Sequence, residues 1–167
     1  MNIKYFILLL VCTLFMSACS TKKQQVKYID TPIIAATYLG QKPPGLIPEL
    51  FAPEIIKTEF RQAAGVFTPN LKEFYLRRRG GKYKGNALVV VKYKDHKWTE
   101  SLVAERAGEP FITADGKTMH LGKRYRERTP SGWSEAKSLG APFDTYRIMR
   151  LTSSVNGTYY FDEASEK

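Results

Sequence analysis

The pattern of apolar and polar residues marks two strongly β-forming runs of the chain, residues 73–77 and 87–93. Both runs are rich in the aromatic and β-branched residues that favour strands. In the first run Phe74 and Leu76 occupy one face. In the second run Leu88 and the three valines that follow it make both faces apolar, which is typical of a strand buried between two neighbouring sheets.

Turn-forming residues separate these runs from the rest of the chain. A polar turn at residues 68–70 precedes the first run, and a basic, glycine-rich stretch at 79–86 is predicted to be the loop between the two runs. Residues 94–97 are predicted to turn the chain into a further segment that begins at Trp98. Short strands joined by such turns predict an antiparallel meander and an all-β fold.

Several phrases of this stretch recur. Residues 67–76 align with residues 112–121, which lie 45 positions later, and residues 156–161 form a third, shorter copy. The segment KWTE at 97–100 likewise recurs as GWSE at 132–135. Repeats of about 40–45 residues with four short strands each are typical of the blades of a β-propeller.

These phrases resemble the TolB-like (WD-like) β-propeller repeat. The resemblance rests on the turn-plus-strand phrase at 113–117, on the W-[ST]-E phrases and on a lead-in at 38–53, and it covers about residues 37–162. It implies an exported bacterial member of this family, with a partial propeller of two to three antiparallel four-stranded blades in residues 37–167. The expected boundaries are about 57–105 for blade 1, about 106–144 for blade 2 and about 145–167 for the start of blade 3.

The chain departs from the family's pattern in three respects. Asn70 and Leu71 stand where the usual turn has Asp-Gly. From turn to tryptophan, the first copy runs 28 positions (Asn70 to Trp98) and the second only 18 (Asp115 to Trp133), so a hairpin's worth of chain is expected to be missing from blade 2. Family members carry about six blades, which predicts that this chain is a truncated half-propeller.

Trp98 and Trp133 follow predicted hairpin turns at equivalent points and are predicted to be core or blade-interface aromatics. Residues 38–53 contain four prolines, which predict an extended segment. The apolar residues of this segment are predicted to be buried; they are Leu46, Ile47, Leu50 and Phe51.

The N-terminus has the pattern of an export signal. Lys4 precedes an apolar core of 11 residues, 5–15, which is too short for a membrane span of about 20 residues. The residues that follow, Met16-Ser17-Ala18-Cys19, resemble the bacterial lipobox. The resemblance implies a signal peptide at 1–18, a diacylglycerol on Cys19 and a lipidated N-terminal tether at 19–36. Ser20 in place of Asp implies sorting to the outer membrane, facing the periplasm.

The chain of 167 residues carries 26 basic and 16 acidic side chains, a net charge of +10. Removal of residues 1–18 takes away only Lys4 and leaves +9. Such an excess either solubilises an exported protein as a solvated rim or binds an anion. Two basic loops are expected to open on the same end of adjacent blades and to form one anion-binding patch. Its residues are Arg77, Arg78, Arg79, Lys82, Lys84, Lys123, Arg124 and Arg126.

Candidate catalytic chemistry is sparse. His96, in a predicted turn, and His120, on a predicted strand, have no second ligand at metal-binding spacing. Ser134 lies in a sequence that only superficially resembles a nucleophile elbow and is interpreted as a repeat residue. Cys12 leaves with the signal peptide and Cys19 is lipidated, so no thiol is expected in the mature domain. We expect no enzyme activity, no cofactor and no metal.

Two main function classes fit the sequence. The first is a non-catalytic envelope lipoprotein whose propeller is a scaffold for an envelope protein or an acidic glycan; nucleic acid is not an expected partner of an exported protein. The second is the propeller fragment of a carbohydrate-active or peptidase-type enzyme, and a third reading is a remnant without function. A half-propeller would expose the strand edge near residues 159–161, which predicts a homodimer through open blade edges, or aggregation.

Overall fold

The computed structural model describes residues 38–95 and 97–164, whose strands form three antiparallel sheets. All of these residues belong to one compact unit. The predicted all-β class is confirmed, since the described helices are only α1 (Pro53–Ile56) and two 3₁₀ turns, Tyr38–Gly40 and Phe143–Thr145. The predicted signal peptide, the tether, the lipidation site Cys19 and the predicted turn residue His96 lie outside the described residues.

The first sheet is a four-stranded meander. Its strands are β1 (Arg61–Phe67), β2 (Glu73–Gly80), β3 (Tyr83–Lys94) and β4 (Lys97–Ala104), paired in chain order. The predicted runs 73–77 and 87–93 lie within β2 and β3. The predicted loop at 79–86 is wrong, because both strands extend through it and leave a two-residue turn. Gly80 and Gly81 have φ angles of +103° and +59°, a conformation that lets the chain reverse within two residues.

The centre of β3 is buried on both faces, as predicted. Val89 and Val91 join one core cluster with Leu76, while Leu88 and Val90 join a second cluster with Tyr75. The first cluster is completed by residues from the N-terminal segment and the second by residues from the second sheet, among them Leu39, Ala52, Ile56, Ile112, Met119 and Leu121. Because side chains alternate along a strand, β3 contributes to both clusters at once.

The second sheet has shorter strands. They are β5 (Pro110–Ile112), β6 (Thr118–Leu121), β7 (Arg124–Thr129), β8 (Gly132–Trp133) and β9 (Lys137–Ser138), and β9 pairs with β7. The predicted loss of about a hairpin's worth of chain shortens the strands of this sheet and removes no hairpin. The β6–β7 hairpin is present, but its two strands hold 4 and 6 residues where β2 and β3 hold 8 and 12. The two strands together are thus shorter by 10 residues, which equals the difference between the 28 and the 18 positions that separate turn and tryptophan in the two sheets.

The third sheet pairs β10 (Ile148–Ser153) with β11 (Tyr159–Glu163). In all three sheets the first two strands are joined by a turn of the same design. Between β5 and β6, the Thr113 hydroxyl donates to Asp115 Oδ1 at 2.6 Å and accepts from the Thr118 amide at 3.0 Å. Thr68, Asn70 and Glu73 make the equivalent bonds in the first sheet. In the third sheet Ser154 bonds to Asn156 and to the amide of Thr158, which is one residue nearer along the chain than in the other two turns.

One position of this turn has a left-handed backbone. It is occupied by Gly116 (φ +71°) and Gly157 (φ +85°), but by Leu71 (φ +58°) in the first sheet. A side chain costs about 1 kcal/mol in this conformation, and that of Leu71 is exposed, so it gains little packing in return. We therefore expect Leu71→Gly to raise the free energy of unfolding by about 0.5–1 kcal/mol in urea denaturation. Leu71→Ala, which keeps the Cβ atom, should bring no such gain; a destabilised Leu71→Gly variant would contradict the prediction.

A polar network joins the first two sheets around the hydroxyl of Tyr75. This hydroxyl donates to Glu73 Oε2 at 2.8 Å and accepts from Trp133 Nε1 at 2.9 Å and from Arg128 Nη1 at 3.3 Å. Arg128 also donates twice to the Glu73 carboxylate, at 2.8 and 3.1 Å. Burial raises the pKa of Tyr75 to about 12, so the phenol keeps its proton. Trp133 thus bridges the two sheets, whereas Trp98 packs against the core cluster on the other face of the first sheet.

The N-terminal segment only partly follows its prediction. Phe51 packs against Tyr38, Phe67 and Phe74, with ring centroids 5.4–5.8 Å apart. Burial of Leu46, Ile47 and Leu50 is wrong, because all three side chains are exposed. Proline-rich backbone between the two anchored ends of the segment holds these residues away from the core.

Candidate anion-binding site

Three consecutive arginines at the end of β2 have three different environments. Arg77 is half-buried and its Nη1 lies 3.2 Å from Glu109 Oε1. Arg78 is 5% exposed; its Nε lies 2.6 Å from Glu100 Oε2 and its Nη2 donates to the Ile56 carbonyl at 3.0 Å. Arg79 is exposed. Since alternate residues of a strand share a face, Arg77 and Arg79 lie on the Tyr75 face of β2 and Arg78 on the opposite face.

Arg79 lines a cleft of about 420 Å³ together with two further arginines, Arg106 and Arg124. The three come from separate parts of the chain: the end of β2, the β4–β5 connection and the start of β7. Gly85, Asn86 and Ala107 complete the lining. The cleft, which we call the arginine cleft, thus lies between elements of the first two sheets.

Backbone contacts hold the β4–β5 connection, and with it Arg106, in place. The Ala107 amide donates to the Asn86 carbonyl at 3.0 Å, which ties the connection to β3. Gly108 packs so closely that a Cβ atom there would lie 2.8 Å from the backbone of Leu121, so only glycine fits without a shift. Leu121 ends β6, directly before the two-residue turn that leads into Arg124. The connection therefore sits between both hairpins that supply the other arginines.

Some basic side chains of the described residues form ion pairs and others do not, and the three arginines of the cleft belong to the second group. Within residues 38–95 and 97–164, seven cations form ion pairs: Lys42, Arg77, Arg78, Lys82, Arg128, Lys137 and Arg150. Arg77 and Arg150 share Glu109, and Arg78 and Lys82 share Glu100. In the same part of the chain no carboxylate lies within 4.0 Å of the guanidinium nitrogens of Arg79, Arg106 or Arg124. Three arginines therefore line one cleft without an ion-pair partner among the described residues.

A second cleft, of about 500 Å³, adjoins the first and shares Gly85 and Arg106 with it. We call it the tyrosine cleft. Its other lining residues are Lys82, Tyr83, Lys84, Ala87, Leu102 and Glu105. The Tyr83 hydroxyl donates to Glu100 Oε1 at 2.7 Å. Burial alone would raise the pKa of Glu100, but the Tyr83 hydrogen bond and the charges of Arg78 and Lys82 outweigh it and hold that pKa below its ordinary value.

The structure divides the predicted patch. Arg79, Lys82, Lys84 and Arg124 line the two clefts. Arg77 and Arg78 are held by Glu109 and Glu100, Lys123 Nζ donates to the Asp144 carbonyl at 3.0 Å, and Arg126 Nη1 donates to the Ser134 carbonyl at 3.0 Å. The sequence-based prediction omitted Arg106, because it is the only basic residue of the β4–β5 connection and belongs to no cluster of charges. Only the pairing of that connection with β3 brings it beside Arg79.

The two other polar candidates within the described residues, His120 and Ser134, make contacts that hold the fold together. His120 is buried on β6 among the rings of Phe111, Tyr125 and Tyr159, and burial lowers its pKa. The Ser134 hydroxyl accepts from the Glu127 amide and donates to the Glu135 carbonyl. In the part of the chain that the structure describes, no group of three His, Cys, Asp or Glu residues could hold a metal ion. Nor does any described helix have the length and apolar character to cross a membrane.

Comparison of the chain with protein-family models, with curated proteins and with solved structures finds no match.

Proposed function

We propose that this protein is a non-catalytic interaction scaffold of the bacterial cell envelope, which binds an acidic partner in the arginine cleft. The observation that carries the proposal is the convergence of Arg79, Arg106 and Arg124 in one cleft, with no ion-pair partner for any of them among the described residues. Guanidinium groups recognise carboxylates and phosphates through paired hydrogen bonds. The partner is an acidic glycan or an acidic envelope protein.

The proposed scaffold is a partial TolB-like propeller on a lipid tether. Support comes from the shared order of strands in the first two sheets, from the same turn in all three sheets, and from Trp98 and Trp133 at equivalent points. A lipid on Cys19 would hold the domain at the outer membrane, facing the periplasm, with residues 20–36 as the tether. This location excludes nucleic acid as the natural partner.

The arginine cleft can be tested with a charge-matched pair of variants. Removal of Arg79, Arg106 and Arg124 together as glutamines should lower affinity for polyphosphate and polygalacturonate by about 100-fold or more, since a hydrogen bond to a charged group contributes about 1.5–3 kcal/mol. The control replaces the exposed Lys57, Lys94 and Lys97, of which the last two lie at the far end of the β3–β4 hairpin. Binding of the full chain in nonionic detergent would be followed by biolayer interferometry at several salt concentrations.

Equal loss in both triple variants would assign the binding to net charge alone and contradict the proposed site. Unchanged melting temperatures in both variants are expected, because all six side chains are exposed. That result would separate a binding defect from a folding defect.

We further propose that two copies associate through β11. All five residues of this strand are exposed, and within the described residues only β10 pairs with it. Tyr160 is 63% exposed, and an open strand edge is a template for another strand. Sedimentation velocity in detergent should find a dimer for the wild type and a monomer for Tyr160→Lys, while Leu46→Lys, at another exposed apolar position, should stay dimeric. A monomeric wild type would contradict this.

A further inference from the structure

We infer that the ligand of the arginine cleft is a sugar phosphate, with its phosphate group in the arginine cleft and its sugar in the tyrosine cleft. This inference rests on the proposed function and narrows the acidic partner to one chemical class. Its first ground is the number of arginines. Its second is the lining of the adjoining cleft.

Three guanidinium groups suit a phosphate better than a carboxylate. A carboxylate offers two oxygens in one plane, which a single bidentate arginine already occupies. A phosphate monoester offers three terminal oxygens in a tetrahedral arrangement and a charge of about −1.5 to −2. Arg79, Arg106 and Arg124 reach the cleft from three separate segments, so their forks can approach one anion from different sides.

A fourth arginine, Arg61, adds positive charge next to Arg79 and so favours a multiply charged anion. Arg61 on β1 is the register partner of Arg79 on β2, so that both side chains lie on the same face of the sheet. Like charges directly opposite each other destabilise a strand pair. A bound dianion relieves this repulsion more than a monoanion does.

The tyrosine cleft suits an uncharged polar group. Glu105 lines it, and its carboxylate would repel a second phosphate but accept hydrogen bonds from sugar hydroxyls. The ring of Tyr83 and the side chain of Leu102, 50% exposed, supply apolar surface for the face of a sugar ring. The two clefts lie on opposite faces of the first sheet and meet at the edge of β3, where Gly85 and Arg106 line both, so one small molecule occupies both by passing around this edge.

The first experiment titrates the full chain in nonionic detergent by isothermal calorimetry with four probes: glucose 6-phosphate, inorganic phosphate, glucuronate and glucose. Glucose 6-phosphate should bind about tenfold more tightly than phosphate and about 100-fold more tightly than glucuronate, because it alone fills both clefts and offers three terminal oxygens. Arg124→Gln should weaken both phosphate probes by about tenfold. Leu102→Trp, which fills the tyrosine cleft, should remove the advantage of glucose 6-phosphate and leave inorganic phosphate unchanged.

The outcomes separate this inference from the proposed function. If glucuronate binds as tightly as glucose 6-phosphate and loses the same affinity in Arg124→Gln, the inference of a sugar phosphate is wrong. The proposed acidic-glycan site would still stand. Equal affinities for glucose 6-phosphate and inorganic phosphate would overturn the role of the tyrosine cleft. Failure of the proposed function would instead appear as polyanion binding that the arginine variants do not change.

A second experiment identifies the source of the sugar phosphate. The full chain is anchored in phosphatidylcholine vesicles with or without a phosphorylated glycolipid, lipid A, and titrated with glucose 6-phosphate. Weaker binding in the presence of lipid A would assign the site to a membrane glycolipid in the same bilayer. Unchanged binding would assign it to a soluble sugar phosphate, and both results are compatible with the inferred class. No saturable binding of glucose 6-phosphate to either vesicle would contradict the inference.

Discussion

Trp133→Ala is expected to destabilise the protein by about 3–5 kcal/mol, the range for truncating a large packed aromatic. The indole lies at the junction of the first two sheets. Its ring packs edge-on against that of Tyr75, with 6.1 Å between the ring centroids, and the Arg128 guanidinium lies over it, 5.0 Å from its centroid. The substitution also leaves the Tyr75 hydroxyl without its Trp133 donor. Guanidinium chloride denaturation, followed by tyrosine and tryptophan fluorescence, would measure the loss.

Two further variants divide this effect into its parts. Trp133→Phe keeps most of the packing but removes the Nε1 donor, and should cost about 1–2 kcal/mol. Tyr75→Phe removes the shared hydroxyl, which should cost about 1–3 kcal/mol because Glu73, Arg128 and Trp133 each lose a partner. The two losses should not add in the double variant, because both remove the same hydrogen bond. A Trp133→Ala variant within 1 kcal/mol of the wild type would show that the sheets do not depend on this junction.

The same junction shows how far the sequence alone could go. The recurrence of the W-[ST]-E phrase predicted Trp133 to be a core or blade-interface aromatic, and the partly buried ring packs against the second core cluster. Its partners Tyr75 and Arg128 lie 58 and 5 residues away, and neither carries a local signal for the contact. Arg128 reads as one more surface cation until its two hydrogen bonds to Glu73 are seen.

Local sequence patterns predicted the centres of the strands better than the residues at which the strands end. The valine run predicted the centre of β3 and the burial of both its faces, because a continuous apolar run is a property of the strand itself. The loop at 79–86 was predicted wrongly because glycines and charges were read as a break. In the structure two glycines suffice for the turn, and the charged residues continue the strands at exposed positions.

The arginine cleft lay largely beyond sequence reasoning for a related reason. Adjacent arginines at 77–79 formed an obvious cluster, yet strand alternation and ion pairs leave only Arg79 directed to the cleft without a carboxylate partner among the described residues. Arg106 completes the cleft because the neighbouring Ala107 bonds to Asn86. These two residues are 21 positions apart, and no periodic pattern in the sequence predicts their contact. A count of charges therefore selected four side chains that line the two clefts, Arg79, Lys82, Lys84 and Arg124, together with four that do not, and it omitted Arg106.

Cys19→Ala is expected to abolish the membrane attachment of the protein completely. The prediction rests on the residues Met16 to Cys19 after an apolar core of 11 residues, a region outside the described part of the chain. Each buried CH₂ group of an acyl chain contributes about 0.8 kcal/mol of membrane affinity, so the loss of two or more chains leaves no stable anchor. Metabolic labelling with palmitate should mark the wild type and fail to mark Cys19→Ala, which should also leave the membrane pellet for the soluble fraction. Cys12→Ala is the matched control: Cys12 lies in the predicted signal peptide, so this variant should keep both label and membrane attachment. Label that persists in Cys19→Ala, or that disappears in Cys12→Ala, would place the lipid on another residue and contradict the proposed tether.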